Sequence, residues 1–140
     1  MANVIPTSFK TELLSGTHNF ASGGDSFKIA LYTSNPYSAS STAYSTSNEV
    51  SSSGTNYSAA GQTLDSQAVA ATSTTGHVDF ADETFSSVTL TAAFAAIYND
   101  DKSDKLVLVL DFGGDKTATN GDFVVQFPTA NASDAIIRIA

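Results

Sequence analysis

The chain has 140 residues, is 41% hydrophobic and carries a formal charge of -8, with six Lys and Arg, fourteen Asp and Glu and no cysteine. This length and apolar content suit one domain with a sizeable core. The missing cysteines exclude disulfides and thiolate metal sites, while the acidic balance opposes phosphate backbones, so no nucleic acid is expected as a direct ligand.

The opening residues, Met1 to Lys10, contain no apolar run of signal-peptide type, and no stretch approaches membrane-spanning length. A soluble protein is therefore expected, with no membrane partner. Residues 1–20 read as an N-terminal arm: Asn3 to Pro6 extended, then a short helix capped by Thr7 or Ser8, running through Phe9, Leu13 and Leu14 and ended by Gly16. About two turns of helix do not stand alone, so the arm must pack either over the end of its own core or on a partner. Ser26 to Thr33 alternates, with Phe27, Ile29, Leu31 and Thr33 on one side, and predicts a strand.

Residues 34–61 form a long Ser/Thr/Tyr-rich loop anchored by Pro36, Tyr37, Tyr44 and Tyr57. Loops of that length serve binding or are held down by their own side chains, and tyrosines set among serines suit either use. Gln62 to Ala71 and His77 to Phe80 predict strands around a Ser/Thr turn ending at Gly76. The centre of the chain is Val88 to Phe112, two apolar runs flanking an acidic turn, which predicts an antiparallel hairpin. Alternation puts Val88, Leu90, Ala92, Phe94, Ala96 and Tyr98 on one face, and Leu106 to Leu110 is apolar throughout, as in a strand covered on both sides. Leu90, Ala93, Phe94 and Ile97 also fit a helical stripe, but the Val-Thr-Leu-Thr start favours a strand. Gly113-Gly114-Asp115 predicts a turn and Asn120-Gly121 a tight hairpin, followed by Phe123, Val125 and Phe127 on one face of a strand stopped by Pro128, and a last strand over Ala135 to Ala140. About seven strands in all predict a single all-β domain, an antiparallel sandwich or barrel-like fold with a short N-terminal helix.

Little in the sequence suggests chemistry. His18 and His77 have no neighbouring ligand at metal spacing, no serine sits in a nucleophile elbow, and Gly113-Gly114-Asp115-Lys116-Thr117 puts Asp115 where a phosphate loop needs lysine. No catalytic residue, cofactor or metal site is assigned. The clusters Asp79, Asp82, Glu83 and Asp100, Asp101, Asp104 could attract a hard cation, but they lack the glycine and final glutamate of a calcium loop and read better as solvated turns. The Asn-x-Ser matches at Asn56 and Asn131 are at chance level in so serine-rich a chain.

Taken together, Pro6 to Gly16, Phe27 to Tyr32, Thr42 to Ser45, Asn48 to Val50, Ala95 to Asn99, Val109 to Gly113, Asp115 to Thr117, Phe127 to Thr129 and Ala135 to Ile139 resemble, over nearly the whole chain, a group of small structural proteins carried by tailed bacteriophages. The resemblance implies a non-enzymatic virion component, a capsid decoration or cement protein on the outer surface of the head. Its partners would be the major capsid protein and copies of itself, with a trimer letting weak contacts act together. The lattice-facing residues expected on that basis are Val4, Ile5, Phe9 and Leu13. The alternative is a tail-fibre or head-fibre adhesion module in which Tyr37, Tyr44 and Tyr57 stack on a host glycan. A hydrolase acting on cell-surface polymer is the third class.

Overall fold

The computed structural model describes residues 3–140. One helix, α1 (Thr7–Leu14), precedes seven strands: β1 (Phe27–Tyr32), β2 (Gln62–Thr63), β3 (Ala68–Thr72), β4 (Thr75–Asp79), β5 (Glu83–Asn99), β6 (Lys105–Val125) and β7 (Ile137–Ile139). They build two antiparallel sheets, one in the order β2-β1-β5-β6 and one in the order β3-β4-β7. The chain thus has the expected all-β fold with a short helix. Both sheets feed the larger core cluster, Phe27, Ile29, Leu31, Ile97 and Leu108 from the first and Val78 and Ile137 from the second.

The predicted central hairpin forms, and it is longer than its apolar runs. β5 has 17 residues and β6 has 21, joined by the acidic turn after Asn99. Leu106 to Leu110 is buried at every position because the sheet has a core on each side. Val107, Leu108 and Leu110 join the larger cluster, whereas Leu106 and Val109 join a smaller one with Ala30, Tyr32, Tyr37, Ala96 and Tyr98.

Two predicted chain reversals do not occur. Gly113-Gly114-Asp115 and Asn120-Gly121 lie inside β6, which runs on past both as irregularities in its pairing with β5. Between the pairs Phe94↔Asp111 and Ala92↔Lys116, four β6 residues stand opposite Ala93 alone; between Leu90↔Ala118 and Val88↔Gly121, two stand opposite Thr89. Gly113 and Asn120 have φ of 77° and 46°. A left-handed residue serves a bulge as well as a tight turn, and local sequence does not separate the two. The larger bulge also breaks the predicted alternation of β5: Val88, Leu90 and Ala92 share the larger cluster with Ala95 and Ile97, while Phe94, Ala96 and Tyr98 belong to the smaller.

The single strand predicted over Gln62 to Ala71 is in fact two, β2 and β3, in different sheets, because Ser66 turns the chain with φ 56°. The following turn is centred on Ser73 and Thr74, with Thr72 paired to Thr75 and Gly76 already inside β4. β2 reaches β1 only because Gly61 has no side chain. At φ 79°, a Cβ there would lie 1.8 Å from the Ile29 carbonyl oxygen.

At the N-terminus, Val4 exchanges backbone hydrogen bonds with Val109 at 2.9 and 2.8 Å, so the arm covers part of the β6 edge. Neither Thr7 nor Ser8 caps α1. The N-cap is Pro6, with no side-chain cap, and the Ser8 hydroxyl donates instead to the Ser41 carbonyl. The end by Gly16 is as predicted: at φ 76°, its amide donates to Leu13 and the next amide, of Thr17, to Glu12, satisfying two terminal carbonyls.

Candidate interaction face

The tyrosines of the long loop turn inward. Tyr37 and Tyr57 are only 9% and 3% exposed. The Tyr37 hydroxyl meets that of Tyr32 at 2.6 Å, Tyr32 donates to the Ser45 carbonyl, and the Ser45 amide donates back to Tyr37. Glu49 accepts from the Tyr44 hydroxyl at 2.5 Å, the Tyr57 hydroxyl at 2.8 Å and the Ala60 amide at 2.7 Å. Tyr44 stacks on Tyr98 with centroids 4.7 Å apart, and Tyr98 donates to the Ala60 carbonyl. Burial raises the phenols of Tyr32, Tyr37, Tyr44, Tyr57 and Tyr98 above the ordinary value, which keeps all five neutral. The loop therefore packs on both faces of the large sheet, with Tyr37 and Tyr44 in the smaller cluster and Val50 and Tyr57 in the larger. Of its three candidate residues only Tyr44 keeps partial exposure, so Tyr37 and Tyr57 offer no ring to a glycan in this fold.

A second polar network gathers under α1. Lys105 lies 3.3 Å from Glu12, whose other carboxylate oxygen lies 2.8 Å from His18 Nε2; Asn99 Nδ2 lies 2.9 Å from both His18 Nδ1 and Asp25. Since Asn99 donates to Nδ1, the ring proton is assigned to Nε2 and given to Glu12. Both ring nitrogens are thus engaged, and the side chain is fully buried. Burial opposes the ionisation of Asp25, yet hydrogen bonds from Asn99 and the Asn19 amide and the charge of Lys102 hold it below the usual carboxylate range. The network fastens α1 and the Asn19 to Asp25 segment to the end of β5.

The acidic clusters have internal work as well. Asp101 accepts from the Ser26 amide at 2.7 Å, Asp100 lies 3.5 Å from Lys28, and Asp82 accepts from the Phe127 amide at 2.9 Å. Glu83 accepts from Gln62. Burial raises the Glu83 carboxyl by more than the hydrogen bond from Gln62 lowers it, and nearby Asp65 adds to the rise. Among the described residues, no group of three or more His, Asp or Glu side chains is arranged to hold a metal.

The exposed apolar surface lies elsewhere. Every residue of β3, Ala-Val-Ala-Ala-Thr, is exposed, although four of the five are apolar and the strand forms a sheet edge. Leu14 is 88% exposed, Ile139 60% and Val69 59%. Val69, Gly76, Val78, Ile137 and Ile139 line a recess of about 380 Å³ closed on its other side by Leu13, His18 and Phe20. Leu13, Ile137, Arg138 and Ile139 also line an adjoining recess of about 270 Å³, reached by Ile5, Phe9, Lys10 and Leu14. The two form one groove between α1 and the small sheet. The space over Gly76 is open, since a Cβ there would meet nothing within 4 Å.

Of the N-terminal candidates, Leu13 and Ile5 line this groove and remain partly exposed. Phe9 borders it but is only 2% exposed, packed on His18 and Phe20, so it anchors the helix instead of meeting a partner. Val4 is half-buried and paired to β6. Leu14, Val69 and Ile139 were missed because each sits in an apolar pattern that predicts core; Val69 and Ile139 lie on the two edge strands of a three-stranded sheet, and Leu14 is the last residue of α1. Comparison with protein families, with curated proteins and with solved structures found no match.

Proposed function

We propose that this protein is a non-enzymatic structural component of a tailed-phage virion, a decoration or cement protein that binds the head lattice from outside. The observation that carries the reading is the groove between α1 and the small sheet. A chain with a charge of -8 leaves Leu14, Val69 and Ile139 uncovered beside an uncharged edge strand. Contiguous exposed apolar surface of this kind is suited to a protein partner. The polar side chains that could have served chemistry are spent on holding the loop and the helix in place, as the Glu49 and His18 networks do. The sequence resemblance points the same way. The major capsid protein is the proposed partner, with copies of the chain itself beside it on the lattice.

Purified particles provide the test. The protein should be a stoichiometric component of the head, lost when the outer surface is stripped and restored when purified protein is added back. Its absence from particles, or its confinement to the tail, would refute the proposal. The fibre reading has less support, since Tyr37 and Tyr57 are buried.

A further inference from the structure

The groove has a charge of its own. Three of the six cations are matched by carboxylates: Lys28 with Asp100, Lys102 with Asp25 and Lys105 with Glu12. The other three, Lys10, Lys116 and Arg138, are exposed and have no carboxylate partner among the described residues; Arg138 donates only to the Ala132 carbonyl. Lys116 is on β6 and lines a different recess, whereas Lys10 and Arg138 line the apolar recess formed by Leu13, Leu14, Ile137 and Ile139. Lys10 thus borders the apolar floor from α1, and Arg138, paired with His77, projects from the face of β7 opposite Ile137 and Ile139, on a protein that is otherwise strongly acidic. Asp134, in the neighbouring recess, is held by Asn131 at 2.9 Å.

The backbone adds a shape requirement. β7 pairs with β4 on one side only, and its groove-facing edge has no backbone partner among the described residues. An extended chain can satisfy such an edge, as in strand addition, where alternate side chains then fall into adjacent pockets.

Resting on the proposed lattice role, we infer that the groove takes an extended acidic–apolar segment of the partner protein, which adds to β7, lays its apolar side chains on Leu13, Leu14 and Ile139 and sets its carboxylates against Lys10 and Arg138. A second copy of this chain is a poorer fit. Of its edge strands, β2 and β3 have no charged residue and the charged residue of β7 is Arg138 itself. β6 carries Asp111, Asp115 and Asp122, but Asp111 and Asp122 already accept from the Gly113 and Ser87 amides and two bulges interrupt the strand, which suits it poorly to lie extended in the groove.

The test is a fluorescence-anisotropy titration of the full chain with short labelled peptides, one alternating valine with glutamate, one valine with lysine and one glycine with glutamate. The valine–glutamate peptide should bind about tenfold more tightly than either of the others, the ratio expected when two rim charges each contribute a fraction of a tenfold step. The double substitution Lys10→Glu with Arg138→Glu should transfer the preference to the valine–lysine peptide. Gly76→Phe, which fills open space at a residue without positive φ, should weaken the valine–glutamate peptide about tenfold or more with the fold retained. Equal affinity for the acidic and basic peptides would overturn the inference. So would a concentration-dependent dimer in light scattering that Gly76→Phe abolishes, because a second copy would then be the occupant. Add-back to stripped particles separates the two proposals. Shells that retain wild type and the charge-reversed variant equally would sink the groove assignment alone, whereas shells that never retain wild type would count against the lattice role and leave the groove to the peptide result.

Discussion

Replacing Glu49 tests whether the long loop is held down from within. Its carboxylate accepts from three donors, the hydroxyls of Tyr44 and Tyr57 and the amide of Ala60. Water can reach the Tyr44 hydroxyl once Glu49 is gone, because that ring is partly exposed. The Tyr57 hydroxyl lies deeper, 3.0 Å from the Leu31 amide, so its donor proton is stranded. An unsatisfied buried donor costs about 1–3 kcal/mol, and bonds to a charged acceptor lie at the upper end. Counting the Tyr57 and Ala60 donors, Glu49→Ala should cost about 3 kcal/mol, which for a domain of this size lowers the melting temperature by roughly 10 °C. Glu49→Gln keeps one carbonyl acceptor and should lose about half as much. Thermal denaturation followed by near-ultraviolet circular dichroism reads both the stability and the tyrosine environments. A Glu49→Ala protein melting within about 2 °C of wild type would refute the network's role.

Gly61→Ala should be far more damaging than its size suggests: the added Cβ would lie 1.8 Å from the Ile29 carbonyl oxygen at φ 79°, so a loss of about 3 kcal/mol or more is expected in urea denaturation, and an unchanged midpoint would contradict the close approach of the loop to β1. Glu83 has its folded-state pKa raised, so its ionised form weakens the fold at neutral pH and the weakening disappears as pH falls below the unfolded-state value. Glu83→Gln, which keeps the acceptor for Gln62, should therefore melt higher than wild type at pH 7, with the gap closing towards about pH 4; a gap that widens on acidification would reverse the sign of the argument. The acidic turn after Asn99 commits Asp101 to Ser26 and Asp100 to Lys28, so the melting temperature should be the same in calcium and in chelator, and a clear rise with calcium would reveal a cation site there.

The alternation of Phe27, Ile29 and Leu31 and the unbroken run Leu106 to Leu110 made the centre of the fold legible, because burial on one or both faces writes itself into a period-two pattern. The bulges in β6 were not legible: glycine and Asn-Gly announce a left-handed residue without saying whether the chain reverses or continues. Asn99 and Glu49 were equally hidden, since their partners lie up to 81 and 11 residues away and no local spacing marks them. The groove was half legible. Leu13 and Ile5 stood out as apolar residues on an arm, but Lys10 and Arg138 gained meaning only when α1 and β7, at opposite ends of the chain, came together.

The most direct measurement is quantitative mass spectrometry of purified, tail-free heads, before and after the outer surface is stripped. This chain should be present at a copy number comparable with that of the shell protein, falling on stripping and recovering on add-back. Heads that lack it, or retain it only at a single vertex, would rule out the lattice role.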